Sequence, residues 1–412
     1  MLLSMGAAAD DWPQWRGPNR DGVWAESGIV ESFPLGGLTA RWRFPVAWGF
    51  SSPVVAQGRV FVSDAELLEP KVLERVHCLE ADTGKRLWSY AWEGGHPDWI
   101  FMLDQRRGPG ATPIVRDGKV FALGTFGDLV CLDAAKGHVL WKKSLRQAYP
   151  WTDLPADASP LIEGDLLIVF NSGRQGAIVA AFDKNSGREV WQALDEAATH
   201  SSPVVISAGG TRQLIVWTQK SVVSLDPRNG RTHWREPLLT SADHAVATPV
   251  CFKDRLLISG LMFRLEADRP AASVLWPLTR AISHRVLSNT CTPLFQGDHL
   301  YAARSSGELV CLEAGTGKQV WETNTVTALN NGASINLTPN GKAAFLFTDQ
   351  GELIRARLAP EGYKEVSRAA LIEPTAFFMG KKSAWAAPAF ANRHIFVRND
   401  KELICVSLAA IP

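Results

Sequence analysis

The segment CLDAAKGHVLW at residues 131–141 decides the fold, because it recurs along the chain without gaps. The other copies are CLEADTGKRLW at 78–88, AFDKNSGREVW at 181–191, SLDPRNGRTHW at 224–234 and CLEAGTGKQVW at 311–321. Every copy has an acidic residue at its third position, glycine at its seventh and tryptophan at its eleventh. Self-similarity of this kind is the signature of a repeat architecture.

Each shared position has a physical cause. The glycine supplies the positive φ that a tight hairpin with a bulge requires. The acidic side chain can accept hydrogen bonds from the amides of the turn. The apolar residues before it, such as 129–132, predict a buried strand, and the tryptophan on the next strand can wedge between neighbouring repeats.

A second signature precedes each copy: a small residue, often with a hydroxyl group, followed by proline. It occurs at Ser52-Pro53, Thr112-Pro113, Ser159-Pro160, Ser202-Pro203, Thr248-Pro249, Thr292-Pro293 and Ala387-Pro388. A strand, a short polar turn and another strand follow it. Each unit therefore consists of four antiparallel strands, A to D, which is typical of a propeller blade.

The repeats predict an all-β fold, an eight-bladed β-propeller of four-stranded antiparallel blades. Residues 247–276 form a degenerate unit, and 333–367 form one that lacks the tryptophan. Residues 385–408 supply strands A to C only, and we expect the N-terminal strand at 38–44 to complete this last blade and close the ring. The tryptophans expected between blades are Trp42, Trp88, Trp141, Trp191, Trp234, Trp276 and Trp321.

The termini and composition set further expectations. We assign residues 1–37 to a signal remnant and an N-terminal strap, and 38–412 to a single propeller domain. Ala7-Ala8-Ala9 resembles the end of a secretory signal, which predicts a periplasmic or secreted protein, although an ordinary terminus is the alternative. The net charge of +1 argues against a nucleic acid partner, and no apolar stretch predicts a transmembrane segment. We expect a monomer.

The six cysteines do not predict a metal or redox site. None forms a CxxC pair. Cys78, Cys131, Cys311 and Cys405 share one position on strand C, where other units have alanine or serine. They are interpreted as small buried apolar residues.

The repeats, together with DWPQWRGPNRDGV at 11–23, RGPGATPIVRDGKVFALGTFGDLVCLDAAKGHVLW at 107–141 and HSSPVV at 200–205, resemble the pyrroloquinoline-quinone-like (PQQ-like) propeller repeat family. Two kinds of member matter. Quinoprotein alcohol dehydrogenases hold the quinone and calcium at the mouth of an eight-bladed ring, whereas propellers similar to the outer-membrane assembly factor have no cofactor and bind proteins. The chain lacks the adjacent cysteines of the dehydrogenases, and no calcium-binding set or catalytic aspartate can be matched.

The variable loops are the candidate site. In this topology the A–B and C–D turns share one face, and the B–C and D–A loops share the other. The D–A loop at 93–110 carries Trp99, Asp104, Arg106 and Arg107, and the one at 145–157 carries Tyr149 and Trp151. A charged B–C loop is expected at 63–76. Exposed aromatic and arginine residues are typical of recognition surfaces, but these loops could also only pack over the channel.

Three histidines, His200, His244 and His284, are expected around the rim of the same face. They could bind a metal or act as bases, but hydrogen-bonded structural histidines are the simpler interpretation. The leading hypothesis is a non-catalytic scaffold without a cofactor that binds a protein or another macromolecule through this face. The alternatives are a PQQ- and calcium-dependent oxidoreductase and an enzyme with an unfamiliar site at the channel mouth.

Overall fold

The computed structural model describes residues 11–149, 154–171, 178–240, 245–277, 287–288, 290–330, 332–378 and 380–410. Over these residues the strands form eight four-stranded antiparallel sheets, in which neighbouring strands follow one another along the chain in seven of the eight. These sheets are the blades of an eight-bladed β-propeller, as predicted.

The first four blades are regular in order, and the first strand of each faces the channel. Blade 1 comprises β2 (Val54–Ala56), β3 (Arg59–Leu68), β4 (Lys71–Glu80) and β5 (Arg86–Gly94). Blade 2 comprises β6 (Ile114–Arg116), β7 (Lys119–Leu123), β8 (Asp128–Asp133) and β9 (Val139–Ser144). Blade 3 comprises β10 (Leu161–Glu163), β11 (Leu166–Phe170), β12 (Val179–Asp183) and β13 (Glu189–Ala193). Blade 4 comprises β14 (Val204–Ala208), β15 (Thr211–Trp217), β16 (Ser221–Leu225) and β17 (Thr232–Pro237).

The second half of the ring includes the blade that joins the two chain ends. Blade 5 comprises β18 (Val250–Phe252), β19 (Arg255–Ile258), β20 (Leu261–Leu265) and β21 (Ala272–Trp276). Blade 6 comprises β22 (Leu294–Gln296), β23 (His299–Ala303), β24 (Leu309–Glu313) and β25 (Gln319–Thr323). Blade 7 comprises β26 (Ile335–Asn340), β27 (Ala343–Thr348), β28 (Glu352–Ala359) and β29 (Gly362–Ala370). Blade 8 comprises β32 (Ala389–Ala391), β33 (His394–Arg398), β34 (Glu402–Ser407) and the N-terminal β1 (Ala40–Pro45).

Little regular structure lies outside the blades. A hairpin of β30 (Ala376–Phe378) and β31 (Lys381–Ser383) connects blade 7 to blade 8. A 3₁₀-helix spans Asp98–Phe101 and an α-helix, α1, spans Leu145–Ala148. Among the described residues, no helix has the length and apolar character needed to span a membrane.

The ring closes as the sequence predicts. β1 pairs antiparallel with β34, and Trp42 lies opposite Cys405. The two ends of the chain therefore share one sheet, which leaves no exposed edge at the point of closure. The four repeat cysteines are buried and form no disulfide bonds, as expected.

A tryptophan joins the turn-side edge of most blades to the next blade. The indoles of Trp42, Trp88, Trp141, Trp191 and Trp276 each cover the C–D turn glycine of the following blade, at Gly84, Gly137, Gly187, Gly230 and Gly317. A Cβ atom on these glycines would come within 2.6–2.8 Å of the indole, and their φ values are 70–73°. Each indole N–H also donates to a carbonyl of that turn, as from Trp276 to Ala314 at 2.9 Å. The repeat glycine therefore meets two requirements: it adopts the positive φ of the turn, and its lack of a Cβ atom leaves room for the indole of the neighbouring blade.

Three of the eight seams between neighbouring blades depart from this pattern. The Trp321 indole N–H of blade 6 donates to the Ala359 carbonyl of blade 7 at 2.8 Å, but no turn glycine lies against its ring. Because blade 5 lacks the glycine turn, the indole N–H of Trp234 donates to Gln213 in its own blade at 2.8 Å. Blade 7 has Ser367 instead of tryptophan, and its hydroxyl accepts a hydrogen bond from the backbone N–H of Phe33 at 2.9 Å. Blade 8 has no covalent C–D turn on which a tryptophan could sit, since its strand D comes from the N-terminus. The strap fills that place with buried Phe33.

The hydroxyl–proline signature makes a second set of contacts at the opposite edge. The hydroxyl group of one blade accepts a hydrogen bond from the backbone N–H at the start of strand A of the preceding blade. These bonds run from Ser52 to Thr112, Thr112 to Ser159, Ser159 to Ser202 and Thr248 to Thr292, at 2.9–3.1 Å. The small hydroxyl residue is thus an acceptor for a buried amide that would otherwise have no partner.

The N-terminal strap runs inside the channel. Trp12 exchanges backbone hydrogen bonds with Val55 of blade 1, and the Trp15 indole donates to Thr248 of blade 5 at 2.9 Å. Arg20 donates to the carbonyls of Pro160 and Pro203 in blades 3 and 4. Further along, Trp24 is buried and its backbone N–H donates to the carbonyl of Pro339 in blade 7. The strap therefore links strands from opposite sides of the ring and fills its axis.

The predicted B–C loop at 63–76 is not a loop. Strands β3 and β4 pair without interruption from Arg59–Glu80 to Leu68–Lys71, so only a tight turn remains at 69–70. The charged residues that suggested a loop are neutralised locally. Buried Asp64 lies 3.2 Å from His77 Nε2 and accepts hydrogen bonds from Arg75 at 2.6 and 2.8 Å. His77 and Arg75 together keep the pKa of Asp64 below its usual range despite burial.

Candidate functional site

A cavity of about 480 Å³ occupies the mouth of the channel on the D–A face. All eight D–A connections contribute to its wall, and Trp15 of the strap forms its floor between the mouth and the rest of the channel. The residues around it include Trp15, Phe50, Asp104, Gln105, Arg106, Arg107, Gly110, Asp157, Ser159, His200, Ser202, Val246, Thr290, Thr292, Ser334, Asn336, Phe377, Gly380, Trp385 and Ala387.

One wall holds a compact group of charged residues. Arg107 forms an ion pair with Asp157, and His200 Nδ1 lies 3.1 Å from Asp157 Oδ2. Gly110 makes room for this group, because a Cβ atom there would lie 2.2 Å from Asp157 Oδ1. The structure therefore brings the predicted Arg107 and His200 together through a carboxylate that the sequence did not single out.

Aromatic rings hold the two arginines. The Arg107 guanidinium lies 5.4 Å from the ring centroid of Phe50, and that of Arg106 lies 5.7 Å from Trp48. Both distances are within the range of cation–π contacts. Arg106 and Asp104 remain exposed at the rim, on the same loop.

The loop that carries these residues is anchored below the rim. Ile100 is completely buried, and Trp99 packs edge-on against Phe126 with ring centroids 5.9 Å apart. Where the loop leaves blade 1, buried Glu74 accepts a hydrogen bond from the Thr125 N–H at 2.6 Å. Burial raises the pKa of Glu74 to about 7, so this carboxyl changes protonation near neutral pH.

The predicted recognition residues have different environments. Asp104, Arg106, Arg107 and His200 line the cavity, whereas Trp99 is half-buried against the loop's own anchor. Tyr149 was expected to be exposed, but it is buried and its hydroxyl donates to Glu189. Burial and this carboxylate raise the pKa of Tyr149 above its ordinary value. Trp151, His244 and His284 lie outside the described residues.

Large exposed apolar side chains occur on loops of the face that contains the mouth. On the B–C and D–A connections they are Leu68, Met102, Leu103, Leu239, Leu329 and Phe377. In the described part of the chain, the other exposed large apolar side chains lie on the strap or along strand D, and the C–D turns carry none. The two faces of the ring therefore differ in chemistry as well as in loop length.

The described residues of the mouth do not supply a set of ligands for a quinone held by calcium. Calcium requires several oxygen ligands, commonly carboxylates, whereas the described residues contain no group of three or more His, Cys, Asp or Glu side chains arranged to hold a metal. The Asp157 carboxylate is already paired with Arg107.

Two parts of the cavity, its polar wall and its floor, correspond to recognisable patterns in the sequence. The hydroxyl–proline signature marks the positions of Ser159, Ser202 and Thr292, which line the cavity. The tryptophan-rich segment 11–22 supplies the floor. Asp157 and Trp385 gave no comparable signal, because neither belongs to a repeated pattern.

A family model described as the outer membrane protein assembly factor BamB (PQQ_2) matches residues 72–283 and 264–365, which is more than half of the chain. The chain belongs to this family. Its resemblance to PQQ-like propellers, inferred from the repeats, is thereby confirmed.

Individual relatives include members of both groups. BamB of Shewanella oneidensis is 25% identical over 289 residues, covering 65% of this chain and 66% of that protein. A quinoprotein ethanol dehydrogenase of Pseudomonas aeruginosa is 27% identical over 200 residues, covering 46% of this chain and 29% of the dehydrogenase. The similarity thus spans just under two thirds of the first relative and less than a third of the second.

Solved structures show the same fold. BamB from Moraxella catarrhalis superimposes with a TM-score of 0.62 at 16% identity, covering 91% of this chain and 99% of that one. The quinohemoprotein alcohol dehydrogenase from Comamonas testosteroni gives a TM-score of 0.69 at 14% identity, covering 98% and 81%. At these identities the structural likeness concerns the fold and not the function.

Proposed function

We propose that this chain is a non-catalytic propeller scaffold that binds a protein partner through the D–A face. The exposed apolar side chains on the B–C and D–A connections carry this proposal. Singly exposed apolar residues are common on protein surfaces, but a group of them on the loops of one face is typical of an interaction site.

The environment of Arg106 supports the same face. Its guanidinium lies over the Trp48 ring, which holds it in place, and the exposed Met102 and Leu103 belong to the same loop. Arginine and apolar anchors are enriched in protein interfaces, where a preordered side chain loses less conformational entropy on binding.

The family suggests the kind of partner. Because the matching family model and two of the matching relatives are described as outer membrane protein assembly factor BamB, we propose a partner that takes part in assembling outer membrane proteins, and a location in the cell envelope. The sequence expectations of a periplasmic protein and of a monomer are carried forward as part of this proposal.

Site-specific photocrosslinking in cells tests the binding face. A photoreactive residue at position 103 or 377 should yield a defined adduct with one protein, whereas the same residue at 136 or 185 on the C–D turns should yield none. All four positions lie on described surface segments, so each variant should fold. Adducts confined to positions 136 and 185 would place the partner on the opposite face and refute the proposal.

A pair of charge substitutions measures the contribution of the apolar rim. Leu103→Asp should weaken capture of the crosslinked partner by at least about tenfold, since an interface anchor is worth about 1–2 kcal/mol or more. Leu140→Asp is the matched control, because Leu140 is an exposed leucine on strand D of blade 2. Equal capture by both variants would argue against the rim.

A further inference from the structure

We infer that the cavity at the channel mouth is a binding site for a small neutral polyhydroxylated molecule, of the saccharide class. Its volume of about 480 Å³ lies within the range typical of small-molecule sites, about 300–1,000 Å³. This binding does not depend on the proposed protein partner, so either proposal can fail without the other.

The charge of the cavity favours a neutral ligand. Among the described residues that line it, the charged side chains are two arginines and two aspartates, beside His200. Arg107 and Asp157 already pair with each other, and Arg106 and Asp104 have opposite signs. A ligand with several carboxylates or several amines would therefore find no excess of opposite charge.

The polar wall matches a ligand with many hydroxyl groups. Ser159, Ser202 and Thr292 each accept a backbone N–H through the oxygen, which leaves their own protons able to point toward the cavity. Asp104 and Asp157 offer acceptors within the same cavity. Donors and acceptors thus alternate around a single volume, which suits hydroxyl groups because each can both donate and accept.

The aromatic wall matches the apolar face of a sugar ring. Trp15 forms the floor, and Phe50 and Trp385 contribute further aromatic surface. The Trp15 ring is fixed by its hydrogen bond to Thr248 and remains partly accessible from the mouth. A flat, rigid ring beneath polar walls provides the combination of apolar contact and orienting hydrogen bonds that is typical of ligand pockets.

Saturation-transfer NMR and calorimetry on the full chain test the inference with named probes. The neutral probes are maltose, cellobiose and N,N′-diacetylchitobiose, and the charged probes are pyrroloquinoline quinone and spermidine. We expect one of the saccharides to bind and both charged probes to bind more weakly. Failure of every saccharide at millimolar concentration, or preference for a charged probe, would overturn the inference.

Variants locate the binding in the cavity. Trp15→Leu should raise Kd for the bound saccharide by about tenfold or more, whereas Trp15→Phe should retain most of the affinity. Asp104→Asn should also weaken binding, and Asp98→Asn is its control, because Asp98 is exposed on the same loop outside the cavity.

Thermal unfolding of each variant separates lost binding from lost structure. If Trp15→Leu disturbs the strap, the comparison of Asp104→Asn with Asp98→Asn decides the question. Equal saccharide affinity in those two variants, together with undiminished affinity in Trp15→Phe and Trp15→Leu, would move the binding away from the channel mouth and refute the inference.

Discussion

The two edges of each blade are joined to their neighbours by different chemistry. At the turn face, a large indole covers a glycine and donates one hydrogen bond to the next blade. At the channel mouth, a single small hydroxyl group accepts an amide from the preceding blade. The first contact buries a large apolar area, whereas the second mainly satisfies a polar group that burial would otherwise leave without a partner.

This difference explains why the two faces of the ring can serve different purposes. Where an indole covers a glycine, it constrains the C–D turn of the next blade, since that turn must present a glycine and a carbonyl to it. The hydrogen bonds of the hydroxyl–proline signature constrain only the start of strand A and leave the preceding loop free to vary. The loop at 95–110 and the hairpin of β30 and β31 use that freedom to build the mouth.

The largest expected effect is at the indole seam. Trp276→Ala should reduce the free energy of unfolding by about 3–5 kcal/mol, because the side chain is 6% exposed and its removal leaves a cavity between blades 5 and 6. Thermal and urea unfolding measure the loss, and Trp276→Phe should recover part of it. A loss below about 1 kcal/mol would show that the indoles do not hold the blades together.

The seam between blades 7 and 8 provides the next test. Phe33→Ala should cost about 3 kcal/mol, since Phe33 is 7% exposed and packs where the other seams have tryptophan. The matched control is Leu35→Ala, because Leu35 lies two residues away in the same strap and is fully exposed. Limited proteolysis should cleave the strap faster in the Phe33 variant. Similar stability of the two variants would refute this role of the strap.

A pair of glycine substitutions isolates the contact from the turn. Gly317→Ala should cost about 2–3 kcal/mol, because its φ is +73° and its Cβ would lie 2.7 Å from the Trp276 ring. Gly297→Ala has a similar φ of +62° but open space around it, and should cost only about 1 kcal/mol. Equal losses in chemical denaturation would mean that only the backbone conformation requires glycine.

The smallest loss of stability is expected at the hydroxyl–proline signature. Ser202→Ala removes the acceptor of the buried Ser159 N–H and should cost about 1 kcal/mol. Ser207→Ala, at an exposed serine in the same blade, should cost almost nothing. If the melting temperature of the Ser202 variant falls as far as that of Trp276→Ala, the proposed ranking of the two edges is wrong.

Much of the fold was predictable because its causes are local. The acidic residue, the glycine and the tryptophan of the repeat specify a turn and the strand after it within eleven residues, as at 131–141. The incomplete final unit at 385–408 and the lone strand carrying Trp42 then implied ring closure, which their pairing confirms.

The candidate site was predictable only in part. Arg106 and Arg107, assigned to a long D–A loop, and His200, assigned to the start of a strand A, all line the mouth, and their role in binding stays a prediction. Tyr149 was misjudged because an aromatic residue in an irregular segment can turn inward as readily as outward, and Glu189 on β13 accepts its hydroxyl. The charge of 63–76 suggested a loop, yet Asp64 and Arg75 neutralise each other across two paired strands.

The amino-acid sequence by itself determined the repeat, the number of blades and the way the ring closes, since turn chemistry and strand length depend on neighbouring residues. Only the tertiary structure decided that the strap fills the channel, that Trp15 forms the floor of the mouth and that Asp157 joins Arg107 to His200. These contacts link residues from different blades, as between Trp15 and Thr248, and no local pattern records which side chains the closed ring will bring together.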